Sequence, residues 1–102
     1  MKTTENLTLH VLYTAKPGKR AAFLNALNDM DAATLSRAEP GNIRYDYSYP
    51  VDSEDQLFLL EIWADDDAFA FHINTDHFKK LQALKEEFLA DVTLEKYYIR
   101  PC

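Results

Sequence analysis

The run Leu57 to Trp63, LFLLEIW, carries Leu57, Leu59 and Trp63 on one side and Phe58, Leu60 and Ile62 on the other. Successive residues of a strand point to opposite faces of a sheet, so a strand apolar on both faces must be covered above and below. Such a strand belongs in the middle of a sheet, with helices on one face and a second layer on the other. A chain of 102 residues has room for one modest core, so residues 1–102 are read as a single domain.

The flanking patterns supply the rest of the sheet and its cover. Leu7 to Thr14 alternates, with Leu7, Leu9, Val11 and Tyr13 on one face, and reads as the first strand. Lys16-Pro17-Gly18-Lys19 breaks it. Phe23, Leu27, Met30 and Thr34 then recur at helical spacing, predicting one helix over roughly Lys19 to Ala38, stopped by Glu39-Pro40-Gly41. From Asn42 to Tyr49, Ile43, Tyr45, Tyr47 and Tyr49 alternate with Arg44, Asp46 and Ser48, which gives a strand with one aromatic face. After Trp63, Asp65 and Asp67 suit the positive end of a short helix bearing Phe69, His72 and Ile73. Thr75 is placed to cap a further helix with His77, Leu81, Leu84 and Phe88 on its buried face, and Val92 to Arg100 closes the chain as a strand. The order β-α-β-β-α-α-β is that of an α+β, ferredoxin-like fold with an antiparallel sheet and a broken second helix. Three helices cover only one face of that sheet. A second copy of the chain is the simplest cover for the other, which predicts a homodimer.

Charge and motif content exclude several function classes. The formal net charge is -6, with no basic cluster longer than two residues, which argues against nucleic-acid or membrane-surface partners. The opening MKTTENLTLH lacks the apolar stretch of a signal peptide, and a cytoplasmic location is expected. The lone Cys102 can form neither an internal disulfide nor a thiolate metal site. With Gly18 and Gly41 as the only glycines, there is no phosphate-cradling loop, and no nucleotide cofactor is expected. His72 and His77 lie five apart across a helix break without a further ligand pattern, so no metal is expected either.

The candidates for chemistry cluster between Glu61 and Phe78. His72 follows Phe69 on the core-facing stripe, where partial burial would keep its imidazole neutral and able to accept a proton; alternatively it is a core histidine satisfied by a carbonyl. His77, in the first turn of its helix, is a second neutral donor or acceptor, or simply an anchor for that turn. Glu61 is a carboxylate inside an apolar strand and must be paired, exposed or shifted upward in pKa. Trp63 and Phe69 offer flat walls for a planar ligand, and Tyr45 belongs to a stripe that serves a cavity or a dimer seam. His10, opposite Leu9 in its strand, is open to either place.

Glu39-Pro40-Gly41-Asn42, then Glu61 and Trp63, then AFAFHINTDHF from Ala68 to Phe78 resemble the antibiotic biosynthesis monooxygenase family. The segment His72 to Phe78 is similar to the HxxxxHF segment of the quinol monooxygenase and autoinducer-2 degradation branches. The resemblance implies a dimeric α+β barrel with an aromatic-lined cavity in each subunit. It further implies oxidation of a small quinol or phenol by molecular oxygen without metal or flavin. His72 would be the base and Trp63 the wall, with Asn74 and Arg44 as donors to the substrate anion. The autoinducer-2 branch implies instead isomerisation of a small phosphorylated dicarbonyl, with His72, His77 and Glu61 shuttling protons and a cationic grip from Lys16, Arg20, Arg44 or Lys79. A non-catalytic dimer that binds an aromatic metabolite is the remaining alternative. Haem breakdown is disfavoured, because His72 and Gln82 stand where the haem-degrading relatives carry tryptophan and histidine.

Overall fold

The computed structural model describes residues 5–102. The elements run β1 (Asn6–Ala15), α1 (Arg20–Asp29), α2 (Ala32–Arg37), β2 (Asn42–Ser48), β3 (Gln56–Trp63), α3 (Asp66–Ile73), α4 (Asp76–Phe88) and β4 (Leu89–Ile99). One antiparallel sheet has the order β2-β3-β1-β4. The α+β, ferredoxin-like fold is therefore as read, and β3 is a central strand. The long first helix is not continuous. Asp31 takes a left-handed conformation at φ 57° and divides it into α1 and α2. Asp tolerates that region because its short polar side chain can bond locally, an option that apolar periodicity does not register.

The core lies between the sheet and the helices. Leu7, Leu9, Val11 and Tyr13 from β1, Leu57, Leu59 and Trp63 from β3, Phe23 and Leu27 from α1, and Leu81 from α4 are all buried. On the opposite face of the sheet, Leu12, Phe58, Leu60 and Ile62 carry no helix and remain half-buried. The long β4 pairs with β1 along its length, yet from Ala90 to Tyr98 every residue is exposed.

The tyrosine stripe of β2 is interrupted. A register shift between Asn42 and Arg44 displaces Ile43 to an exposed position, and Tyr49 lies beyond the strand and is exposed. Tyr45 is fully buried and Tyr47 half-buried. Bulges of this kind re-aim side chains, and they arise from ladder geometry that alternation alone does not carry.

One close approach ties the sheet to the helices that bear the histidines. A Cβ built on Gly41 would lie 2.1 Å from the Cβ of Ala68 in α3. The Gly41 carbonyl also accepts the Ala64 N–H at 2.9 Å. Glycine is required there for contact rather than for backbone freedom, and that contact brings Glu39 against α3.

Candidate active site

Asp65 caps α3 by accepting the Ala68 N–H at 2.9 Å, with Asp66 and Asp67 completing an acidic first turn. The break to α4 is held by one hydroxyl. Thr75 Oγ1 donates to the His72 carbonyl at 2.7 Å and accepts the Phe78 N–H at 3.2 Å, so it closes one helix and opens the next. His72 and His77 are thereby fixed on either side of the break.

Both histidines converge on Glu39, in the turn between α2 and β2. His72 Nδ1 and His77 Nε2 each lie 2.7 Å from Glu39 Oε2. The side chains of Glu39 and His72 are 5% and 3% exposed. A carboxylate oxygen accepts only, so His72 Nδ1 and His77 Nε2 donate to it, and burial favours the neutral form of His72. His72 is then the tautomer with a free lone pair on Nε2, which stands 3.8 Å from Glu61 Oε1. The other oxygen of Glu39, Oε1, is buried and has no hydrogen-bond partner among the described residues. Among the described residues, Glu39, His72 and His77 are also the group whose donor types could hold a metal ion, their ligating atoms lying within 4.8 Å of one another. Donors around tetrahedral zinc stand about 3.3 Å apart, given bonds of ~2.0 Å. The 2.7 Å contacts here are those of a hydrogen-bonded triad.

The Glu39–His72 pair lies between two spaces, Glu39 lining the outer one and His72 the inner one. On the outside, an open cleft of about 820 Å³ is lined by Glu39, Asp67, Asn74, Asp76 and His77 among others. On the inside, a small cavity of about 50 Å³ lies between sheet and helices. Its wall is aliphatic and aromatic, from Val11, Tyr45, Phe69, Phe78, Leu81 and Leu94 among others, and its ionisable groups are Glu61, His72, Lys85 and the phenols of Tyr13 and Tyr45. The outer cleft is larger, but the inner cavity combines apolar walls with convergent polar groups, which is the pattern of a small-molecule site.

Burial sets the proton affinities inside. It pushes Glu61 up from its ordinary value to about 7, opposed by the hydrogen bond from Trp63 Nε1 to Glu61 Oε1 at 3.1 Å and by the Lys85 charge. It holds His72 below the usual histidine value, although the bond to Glu39 pulls the other way. It also lowers Lys85, which the Glu61 charge partly restores. Tyr13 and Tyr45 are raised well above their ordinary value by burial, and Tyr47 to about 12, so these phenols stay protonated. The Trp63 ring centroid lies 4.5 Å from that of His72, and the Phe69 centroid lies 6.2 Å from Trp63 and 6.1 Å from His72.

Of the residues expected from sequence, His72, Glu61, Phe69 and Tyr45 come together at the inner cavity, whereas Trp63 is fully buried behind them, against the His72 ring, and does not line it. His77 reaches the same network through Glu39, but it faces the outer cleft. Three are elsewhere. Asn74 turns its amide back onto the Ala70 carbonyl at 2.7 Å and lines the outer cleft. Arg44, whose register partner is Ile62, is exposed and pairs with Asp46 at 2.6 Å. His10 packs between Phe58 and Tyr97 on the helix-free face, with ring centroids at 5.5 and 5.1 Å. The other cations considered for a phosphate grip also lie apart: Lys16 binds the Glu86 and Glu87 carbonyls, Arg20 binds the Ser53 carbonyl and stacks on Tyr49, and Lys79 is exposed. Glu39 and Lys85 were not anticipated. Lys85 follows Leu81 by four residues, which is a usable signal, whereas Glu39 gives none beyond its place in the EPG turn.

The family model for antibiotic biosynthesis monooxygenases matches residues 6–84. The chain belongs to the antibiotic biosynthesis monooxygenase family. A Bacillus subtilis relative named "Putative monooxygenase YcnE" is 36% identical over 84 residues, covering 82% of this chain and 86% of its own length. The crystal structure of PA3566 from Pseudomonas aeruginosa superposes with a TM-score of 0.85 at 31% identity, covering 99% of this chain and 100% of that one. SO0527 from Shewanella oneidensis shares the fold at a TM-score of 0.83, with 23% identity over 95% of this chain and 93% of its own. The triad and inner cavity therefore sit in an antibiotic biosynthesis monooxygenase fold, and a monooxygenase-like function is supported in general terms.

Proposed function

We propose that this protein oxidises a small quinol or phenol with molecular oxygen, using His72 as the base. The observation that carries this reading is the Glu39–His72 pair at 2.7 Å, which fixes the ring so that an unprotonated Nε2 is turned toward a small aromatic-walled cavity. A phenolic O–H seated there passes its proton to Nε2, and the bond from Nδ1 to Glu39 stabilises the imidazolium that forms. The electron-rich phenolate then gives one electron to oxygen, and the radical pair recombines at a ring carbon as a peroxide. His72 returns its proton to the peroxide, which collapses with loss of water and leaves one oxygen atom on the ring as a carbonyl. Phe69 walls the ring, Trp63 backs His72 and holds Glu61, and Glu61 lies next to the transferring proton. His77 holds Glu39 and so acts on the base indirectly.

A homodimer is part of this reading. The half-buried Leu12, Phe58, Leu60 and Ile62 on the helix-free face form an apolar patch that a two-fold dimer would cover.

Oxygen uptake by the purified protein with a panel of quinols and anthrols, compared with His72→Ala, tests the proposal. Uptake above autoxidation that falls at least a hundredfold in the variant, with affinity changed by less than about tenfold, is the expected result. Uptake that is absent, or equal in both proteins, refutes it.

A further inference from the structure

Lys85 is a half-buried cation at the rim of the inner cavity and, among the described residues, forms no salt bridge. Its Nζ lies 5.6 Å from the centroid of Tyr13 and 5.7 Å from that of Phe78, within the range where an ammonium is attracted by a ring face. Among the described residues, no carboxylate comes within 4.0 Å of it, although Glu61 lines the same cavity. Glu61 is itself held by Trp63 and faces His72. An acid and a base thus look into one small space without meeting. Each costs free energy in a desolvated place, and a ligand that touches both would offset that cost.

We propose that the cavity selects a single ring with oxygens at opposite edges: a phenol O–H at the Glu61–His72 edge, and a carboxylate or carbonyl oxygen seated on Lys85. The inference names the substrate class of the oxidation proposed above and rests on that reading. Size argues against fused rings, and even one ring is larger than the cavity as it stands. The cavity of about 50 Å³ has room for one or two waters, at about 30 Å³ each. A ring enters by displacing the rim, where Lys85 is half-buried and Leu94 is 49% exposed. A phosphate group fits poorly, because its two charges would meet a single cation in a desolvated place. The cation also has a chemical use, since it stabilises negative charge that spreads across the ring once the phenol is deprotonated.

The test is binding, measured calorimetrically in the absence of turnover, with 4-hydroxybenzoate and with 4-methylphenol, which has the same phenol ring but no acceptor at the far edge. Wild type is expected to bind 4-hydroxybenzoate at least tenfold more tightly. Lys85→Met should bring the two within about twofold, while Lys79→Met, on the exposed side of the same helix, keeps the preference. A wild-type protein with no preference, a preference that survives Lys85→Met, or no binding of either ring overturns the proposal. Oxygen uptake is scored separately, so a preference that depends on Lys85 without uptake would sink the oxidation and leave the ligand class standing.

Discussion

Replacing Glu61 by Gln should stabilise the protein, and only on the alkaline side. Burial raises this carboxyl from an ordinary value near 4.5 to about 7. At ~1.4 kcal/mol per tenfold change in proton affinity, that rise is worth about 3 kcal/mol. The folded state holds the proton more tightly than the unfolded chain. Below pH ~4.5 both states are protonated, and Glu61 carries no penalty. Between there and pH 7 the unfolded chain ionises first, and wild type loses stability relative to a neutral side chain until the full cost is reached above pH 7. Gln keeps the shape and an oxygen to accept the Trp63 N–H, so it escapes that loss. His72 runs oppositely: its lowered value costs stability as pH falls, in both proteins alike, and largely cancels in the difference. Urea denaturation of both proteins from pH 5 to 8.5 should show curves that nearly meet at the acid end and diverge by about 2–3 kcal/mol at the alkaline end. A constant difference, or one that grows toward acid, would refute the assignment of Glu61 as a buried carboxyl held protonated in the fold.

Gly41→Ala drives a methyl into Ala68 and should cost about 1–3 kcal/mol of stability, read from the urea midpoint; Ala68→Gly in the same chain should recover part of it. Glu39→Gln exchanges two charge-assisted hydrogen bonds for neutral ones, at a cost of about 2 kcal/mol. Nitrogen NMR of the imidazoles should report loss of the single His72 tautomer, and a tautomer ratio unchanged from wild type would remove Glu39 from its orienting role. Phe58→Arg, on the helix-free face, should convert a dimer to monomers in sedimentation; a wild-type protein that sediments as a monomer at micromolar concentration would refute the two-fold interface.

The sheet was legible because its alternations are strong, and β3 because it is apolar on both faces. His72 could be picked out because it shares a helical stripe with Phe69, and Glu61 because a charge inside an apolar strand demands an explanation. Glu39 could not, for its partners are 33 and 38 residues away and it sits where the sequence shows only a helix stop. Lys85 lay on the same stripe as Leu81 but reads as a solvated charge unless the stripe is extended by one turn. Asn74, Arg44 and His10 were drawn to the site by residue type. Backbone geometry sent them elsewhere: a helix end turns Asn74 onto a carbonyl, and strand parity puts Arg44 and His10 on the opposite face.

Most of the side chains that shape the cavity, Phe69 and Phe78 excepted, come from parts of the chain other than those that hold the base. Glu39, His72 and His77 belong to the α2–β2 turn and the α3–α4 junction, whereas Val11, Leu81, Lys85 and Leu94 come from β1, the body of α4 and β4. A protein engineer could therefore recut the walls to admit new rings while leaving the proton acceptor untouched, and treat the molecule as a fixed chemical head with an interchangeable mould.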